Sequence, residues 1–159
     1  MVKILIVSDT HGDLKGFYDV VNKETFDYLI HCGDIIDDVE IIKKRCDKCY
    51  IVAGNNDYFS DLEDEILVDI DGVKFFITHG HFYNVYFTRK SLLEKAKEKS
   101  ANIVLYGHTH IPFLEKKDDI ILLNPGSLTY PRQSPRKKSY AMLVIEDSNI
   151  LSVEVKYIE

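Results

Sequence analysis

The stretch Val2-Lys3-Ile4-Leu5-Ile6-Val7-Ser8-Asp9-Thr10-His11-Gly12-Asp13 decides the fold. Residues 2–7 have the length and β-branched content of a strand buried on both faces, as parallel strands are. A helical pattern then runs from Asp13 to Glu24, with Leu14, Phe17, Val20 and Val21 on one face. A strand that feeds a helix is the first half of a βαβ unit, so Asp9 and His11 fall in a strand-to-helix loop. Open α/β sheets gather their ligands at such loops. An Asp and a His two residues apart can both face one ion there.

Working outward, Asp27 to His31 reads as a second strand, closed by Cys32-Gly33-Asp34. A short helix is expected from Asp37 to Arg45, with Asp37 and Asp38 at its positive end. A third strand, Cys49 to Ala53, ends in Gly54-Asn55-Asn56-Asp57, completing β-α-β-α-β with right-handed crossovers. The pattern then changes. Ile66 to Ile70 and Val73 to Thr78 flank Asp71-Gly72, a type I′ hairpin signal, and the second of them runs into His79-Gly80-His81. A helix from Thr88 to Lys99, with Leu92, Leu93 and Ala96 inward, precedes a buried strand, Ile103 to Tyr106. That strand ends in Gly107-His108-Thr109-His110. The remainder reads as two antiparallel hairpins, Phe113 to Leu123 around Asp118-Asp119 and Tyr140 to Ile158 around Asp147-Ser148-Asn149. The sum predicts an α/β fold: a four-layer α/β/β/α sandwich of two mixed β-sheets flanked by helices, in a single domain, 1–159.

The whole chain agrees with that expectation. Its 159 residues match one domain of roughly 100–200 residues. Its 45% hydrophobic and 29% charged content is ordinary for a globular protein. No apolar run approaches the roughly 18 residues of a membrane span, and a strand at the very start leaves no leader, so a cytoplasmic location is expected. A net charge of −6 argues against a general binder of nucleic acid or anionic membranes. It does not exclude a phosphate substrate, because bound divalent cations invert the local field. Three cysteines fit a reducing compartment. Cys46 and Cys49 lack a second Cys/His pair at zinc-site spacing and read as plain thiols.

Five loops carry the chemistry, each after an apolar strand: Asp9-Thr10-His11, Gly33-Asp34, Gly54-Asn55-Asn56-Asp57, His79-Gly80-His81 and Gly107-His108-Thr109-His110. Five of the six histidines lie in them, and the sixth, His31, ends the second strand. Each block alone is an ordinary turn, since Asn, Asp and Gly all tolerate turn conformations. Together they form an imidazole and carboxylate set suited to Mn²⁺, Fe²⁺, Co²⁺, Ni²⁺ or Zn²⁺. The set is too large for one ion and sufficient for two, which can activate a water and stabilise an in-line displacement.

In these blocks the chain resembles the calcineurin-like metallophosphoesterases, whose signature is D-x-H, G-D, G-N-H-D, a histidine-glycine block and G-H-x-H. Lacking a cap domain, and with Asn124-Pro125-Gly126-Ser127 followed by Pro131-Arg132, it is similar to the small bacterial and archaeal phosphodiesterase branch. The resemblance implies a first metal on Asp9, His11, Asp34 and His110, and a second on Asp34, Asn55, His79 and His108, with Asp34 bridging. It implies two divalent ions, Mn²⁺ foremost and Ni²⁺, Fe²⁺, Co²⁺ or Zn²⁺ as alternatives, and attack by a metal-bridging hydroxide on a small phosphodiester such as a nucleotide. Asp57 and His81 would support ligands or their loops rather than bind metal. For the basic segment Tyr130 to Lys138 two readings stand: a solvated surface loop, or one in which Arg132, with Ser127, reaches a phosphate oxygen, as Arg geometry suits.

One departure stands out. Asn56 occupies the place of the family's histidine, which is held to protonate the leaving group or stabilise the transition state. An amide donates a hydrogen bond but delivers no proton at neutral pH, which favours substrates with good leaving groups. Two rivals remain: a nuclease of the same family, and a non-catalytic scaffold of the same fold, for which degraded ligands would be expected. No membrane contact or stable nucleic-acid binding is expected, and a homo-oligomer is left open.

Overall fold

The alternation of strand β1, Val2–Val7, sorts its side chains onto two faces with period 2. Ile4 and Ile6 point into one buried cluster with Phe75, Ile77, Ile103 and Leu105, while Leu5 and Val7 point into another with Phe17, Val20 and Ile42. The first cluster lies between two sheets, and the second lies under helices. In the computed structural model, which describes residues 1–36 and 39–159, the element order after β1 is α1 (Lys15–Lys23), β2 (Tyr28–His31), α2 (Val39–Lys43), β3 (Cys49–Ile51), β4 (Glu65–Ile70) and β5 (Val73–Thr78). There follow α3 (Lys90–Glu98), β6 (Ile103–Leu105), β7 (Phe113–Lys117), β8 (Ile120–Asn124), β9 (Ser139–Glu146) and β10 (Asn149–Tyr157). The expected helix start at Asp37 and Asp38 lies outside the described residues.

The strands form two mixed five-stranded sheets, ordered β10-β9-β1-β2-β3 and β4-β5-β6-β8-β7. A third buried cluster, with Phe76, Leu92, Ala96 and Val104, packs α3 against the second sheet. Three apolar layers therefore separate four layers of structure, as the expected α/β/β/α sandwich requires. The β4–β5 hairpin turns through Asp71 (φ 50°) and Gly72 (φ 85°), both left-handed as a type I′ turn demands.

The last third departs from a purely antiparallel reading. The β7–β8 and β9–β10 hairpins are antiparallel, but they belong to different sheets. Strand β8 joins β6 in parallel, and β9 joins β1 antiparallel. Within each sheet three neighbouring strands therefore run parallel: β1, β2 and β3 in one, and β5, β6 and β8 in the other. The carboxyl ends of these six strands lead into the loops that carry the functional residues. Among the described residues, no helix is long and apolar enough to cross a membrane.

Candidate metal centre

The loops enter the site in an uncommon backbone conformation. Asp9 (φ 55°), His11 (φ 47°), Asp34 (φ 60°), His108 (φ 73°) and His110 (φ 61°) are all left-handed. Asp and His tolerate that region better than most side chains, yet each such residue costs about 1–3 kcal/mol that its surroundings must offset. Backbone hydrogen bonds between loops do so: Asp9 N–H donates to Gly33 O at 3.0 Å, His11 N–H to Asp34 O at 2.9 Å and Gly107 N–H to His79 O at 2.9 Å. The strain turns the side chains inward.

Asp9 is fully buried at the middle of the site. Its Oδ2 accepts from Ser8 Oγ at 2.7 Å and from His108 N–H at 3.1 Å, while its Oδ1 has no hydrogen-bond partner among the described residues. Facing Oδ1 are the Nε2 atoms of His110 at 3.3 Å, His11 at 3.6 Å and His79 at 3.7 Å. Asp34 Oδ2 lies 3.5 Å from His11 Nε2 and 3.4 Å from His79 Nε2, between the two. Two overlapping groups result, Asp9 with His11 and His110, and Asp9 with Asp34 and His79, each holding its ligand atoms within 4.8 Å of one another.

The histidines are oriented from behind. His79 Nδ1–H donates to Cys32 O at 2.7 Å, and His110 Nδ1–H to Tyr130 O at 2.8 Å. Each therefore presents Nε2 to the carboxylates, the arrangement by which backbone carbonyls orient metal-binding imidazoles. Burial pushes the His79 ring toward the neutral form, but the Asp9 and Asp34 carboxylates prevail and hold its pKa above the ordinary value. Burial likewise opposes ionisation of Asp9 and Asp34, and the surrounding imidazoles overcome it, drawing Asp9 well below the carboxylate range and Asp34 down to about 2. Both carboxylates are thus ionised at neutral pH, as ligands must be. His108 is held to about 4 by burial and by His79, so its ring is neutral at pH 7.

The remaining predicted residues fall around this centre. Asn55 Oδ1 and His108 Nδ1 meet at 3.1 Å, and the His108 ring is 5.1 Å from that of His79. Asp57 touches no ligand atom of the two groups; its carboxylate accepts the N–H groups of Asp34 (2.7 Å), Ile35 (3.0 Å), Ile36 (2.9 Å) and Gly54 (2.9 Å). It fixes the loop that presents Asp34. Asn56 donates twice to the Asp34 carboxylate, through N–H to Oδ1 and through Nδ2 to Oδ2, both at 2.9 Å. Gly54 packs so closely on Asp34 that a Cβ there would collide with its carboxylate and its amide. His81 lies 5.4 Å, ring to ring, from His79. His31 accepts Gly33 N–H on Nδ1 at 3.0 Å, so its Nε2–H donates to Thr10 Oγ1 at 3.1 Å. Both nitrogens are occupied, and burial depresses its pKa to about 4, which makes it a neutral brace under the loops.

Ser127 lies beneath Asp9. It is fully buried, its hydroxyl donates to Asp9 O at 2.8 Å, and its Oγ accepts the N–H groups of Thr129 at 3.1 Å and Tyr130 at 2.9 Å. It ties the loop after β8 to the loop after β1. Arg132 does lie at the site: its N–H donates to His110 O at 3.0 Å, and its Nη1 to Tyr86 Oη at 2.8 Å. The sequence reading missed Ser8, Cys32, Tyr86 and Tyr130. Cys32 and Tyr130 act through backbone carbonyls, which no side-chain motif reveals; Ser8 was detectable as the hydroxyl beside Asp9.

Asp9 Oδ1 and His79 Nε2 are buried polar atoms without hydrogen-bond partners among the described residues. Such atoms are costly unless something coordinates them, and a divalent ion satisfies both. The site fits metal. Residues 2–148 match the sequence profile described as the calcineurin-like phosphoesterase superfamily domain. The chain belongs to this superfamily. It is 34% identical to the phosphodiesterase MJ0936 of Methanocaldococcus jannaschii across 91% of this chain and all of that one. The crystal structure of a conserved Streptococcus pneumoniae TIGR4 protein, a predicted phosphoesterase, superposes with a TM-score of 0.85 at 30% identity, covering 98% of this chain and 89% of the other. Wild-type Vps29 of Entamoeba histolytica, solved in complex with Zn²⁺, shares the fold at a TM-score of 0.80 and 20% identity, over 98% of both chains. This chain is a metal-dependent phosphoric ester hydrolase with candidate metal-binding residues in place.

Proposed function

We propose that residues 1–159 form one dinuclear phosphodiesterase domain acting on a small phosphodiester, with nucleotides as the favoured class. The observation that carries this reading is the position of Asp34 Oδ2, 3.5 Å from His11 Nε2 and 3.4 Å from His79 Nε2, where one carboxylate can serve two ions. The first ion would be held by Asp9, His11, Asp34 and His110, and the second by Asp34, Asn55, His79 and His108. When bound, two divalent ions supply an activated water at neutral pH and offset charge on the phosphoryl oxygens. Mn²⁺ is the expected metal, with Ni²⁺, Fe²⁺, Co²⁺ and Zn²⁺ as alternatives.

The chain's own residues divide the remaining work. Asp57 and the Cys32 and Tyr130 carbonyls hold the ligands rigid, which keeps the reacting geometry from relaxing. His81 lies beside His79 and supports it. Arg132 offers its remaining guanidinium N–H groups to a phosphoryl oxygen. Asn56 stands at the leaving-group position. One of its amide hydrogens is held by Asp34, and the other has no partner among the described residues. That hydrogen can steady a departing oxygen but cannot protonate it, so esters with acidic leaving alcohols are preferred.

The likeness to Vps29 in fold supports a second reading, a non-catalytic scaffold, and the superfamily also admits a nuclease. The intact donor set weighs against the scaffold, and the −6 net charge weighs against the nuclease. A cytoplasmic setting and a homo-oligomer both suit the reading. The test strips the purified protein with chelator and reloads it with each metal. Bound metal is counted by mass spectrometry, and bis(p-nitrophenyl) phosphate is compared with p-nitrophenyl phosphate. Two ions per chain and faster diester hydrolysis are expected, and Asp34→Asn should lose both bound metal and at least about a hundred-fold in rate. No bound metal and no hydrolysis would sink the proposal.

A further inference from the structure

The basic segment Arg132 to Lys138 lies beside the metal centre in a chain of net charge −6. An open cavity of about 490 Å³ is lined there by Thr129, Tyr130, Pro131, Arg132 and Arg136. It shares its inner wall with the metal centre: Tyr130 O accepts His110 Nδ1–H at 2.8 Å, and the Tyr130 ring stands edge-on to His11 at 5.9 Å between centroids. Arg132 is fixed at both ends, by its N–H on His110 O and by Nη1 on Tyr86 Oη. Tyr86 in turn donates to His108 O at 3.2 Å and packs against the His108 ring at 4.8 Å. The Gln133 amide closes the segment by donating to Lys137 O at 2.6 Å, and Arg136 lines the same cavity as Arg132.

Neither arginine is neutralised. Among the described residues, no carboxylate forms an ion pair with Arg132 or Arg136, whereas Lys15, Lys43, Lys95, Lys97 and Lys156 all have acidic partners. A solvated surface loop would need no such anchoring of Arg132 and would not share walls with the metal centre. Two unpaired guanidinium groups on one cavity match the bidentate geometry of phosphate. The Tyr130 ring, 56% exposed, supplies a flat face beside them on which a planar base can stack.

We propose that the cavity between Tyr130, Arg132 and Arg136 is a subsite for a second, non-reacting phosphate, so that the preferred substrate is a nucleotide phosphodiester bearing a terminal phosphate. This rests on the phosphodiesterase reading above. Arg132 stands at the boundary, between the reacting phosphate and the cavity, and Arg136 engages the second phosphate. Tyr86 is a positioning residue that keeps the Arg132 guanidinium beside the Gly107 to His110 loop.

The experiment compares ApA with pApA, its 5′-phosphorylated counterpart, on the Mn²⁺-loaded full chain, following loss of dinucleotide by chromatography. The wild type should prefer pApA by about ten- to a hundred-fold in kcat/KM, the worth of a charge-assisted contact. Arg136→Ala should bring that ratio close to one, and Arg136→Lys should retain part of it. Arg136 is exposed, so both variants should melt with the wild type. Equal hydrolysis of ApA and pApA by the wild type, or a preference that survives Arg136→Ala, would overturn the subsite and leave the phosphodiesterase reading standing. Hydrolysis of neither dinucleotide, nor of bis(p-nitrophenyl) phosphate, would overturn both.

Discussion

Asn56 shows how one residue can be read correctly in sequence and still hold a surprise in structure. As a departure from G-N-H-D it signals the absence of a proton donor, and its amide chemistry follows from its type alone. What the string of letters cannot show is that its N–H and Nδ2 both close on Asp34 at 2.9 Å. The carboxylate proposed to serve two ions is thereby held in one rotamer. Asn56→Ala should therefore weaken metal binding by about 10–100-fold, the usual loss when a ligand's supporting hydrogen bond is removed. Titration of stripped protein with Mn²⁺ in a calorimeter checks this, and an unchanged affinity would leave Asn56 with a role in substrate handling alone. The candidate ligands stood out in sequence because Asp, Asn and His carry donors suited to divalent metals. Their left-handed backbone was not, since φ at Asp9 or His110 is imposed by neighbouring loops rather than by residue type.

At the scale of elements, the strands and their order along the chain were legible from period and punctuation, whereas their partners were not. Strand β8 reads as half of a hairpin, and its parallel pairing with β6 depends on contacts remote in sequence. That pairing places Ser127, just beyond β8, under Asp9. Replacing Ser127 with Ala leaves the Thr129 and Tyr130 N–H groups without their acceptor and should destabilise the protein by about 1–3 kcal/mol. A urea midpoint shift of that size is the expected result; a raised KM at unchanged stability would instead restore the phosphate contact. Glu24, at the end of α1, binds that helix to β9 and β10 through Tyr140 Oη at 2.7 Å and Lys156 Nζ at 2.6 Å. Burial opposes its charge, but Lys156 and Tyr140 hold its pKa below the ordinary 4.5. A depressed carboxyl contributes stability that is present above pH 4.5 and lost as pH falls through the folded value. Glu24→Gln should cost about 1 kcal/mol at pH 7 and flatten the stability profile below pH 4.5, read from urea melts across pH.

The candidate centre spans the whole molecule, because each possible metal group draws donors from the loops of both sheets. Loops after β1, β2 and β3 bring Asp9, His11, Asp34 and Asn55, while loops after β5 and β6 bring His79, His108 and His110. The two sheets are otherwise joined by apolar contact, with Ile6 and Ile30 facing Ile77 and Leu105 in one cluster. Apolar packing resists separation but leaves the loop ends at the rim to be fixed by polar contacts. The carboxylates and imidazoles there include buried atoms with no partner among the described residues, so ions that bind only the folded chain should stabilise it as a unit. Metal at about a hundred times its dissociation constant adds roughly 2.7 kcal/mol. For a domain of this size that raises the melting temperature by about 5–10 °C. Chelator should reverse the rise, and the whole transition should move together instead of splitting into two. Asp34→Asn removes the carboxylate common to both proposed ions and should abolish the metal-dependent shift. A shift that persisted in that variant, at the same metal concentration, would place the stabilising ion on donors that do without Asp34, such as the Asp9, His11 and His110 group.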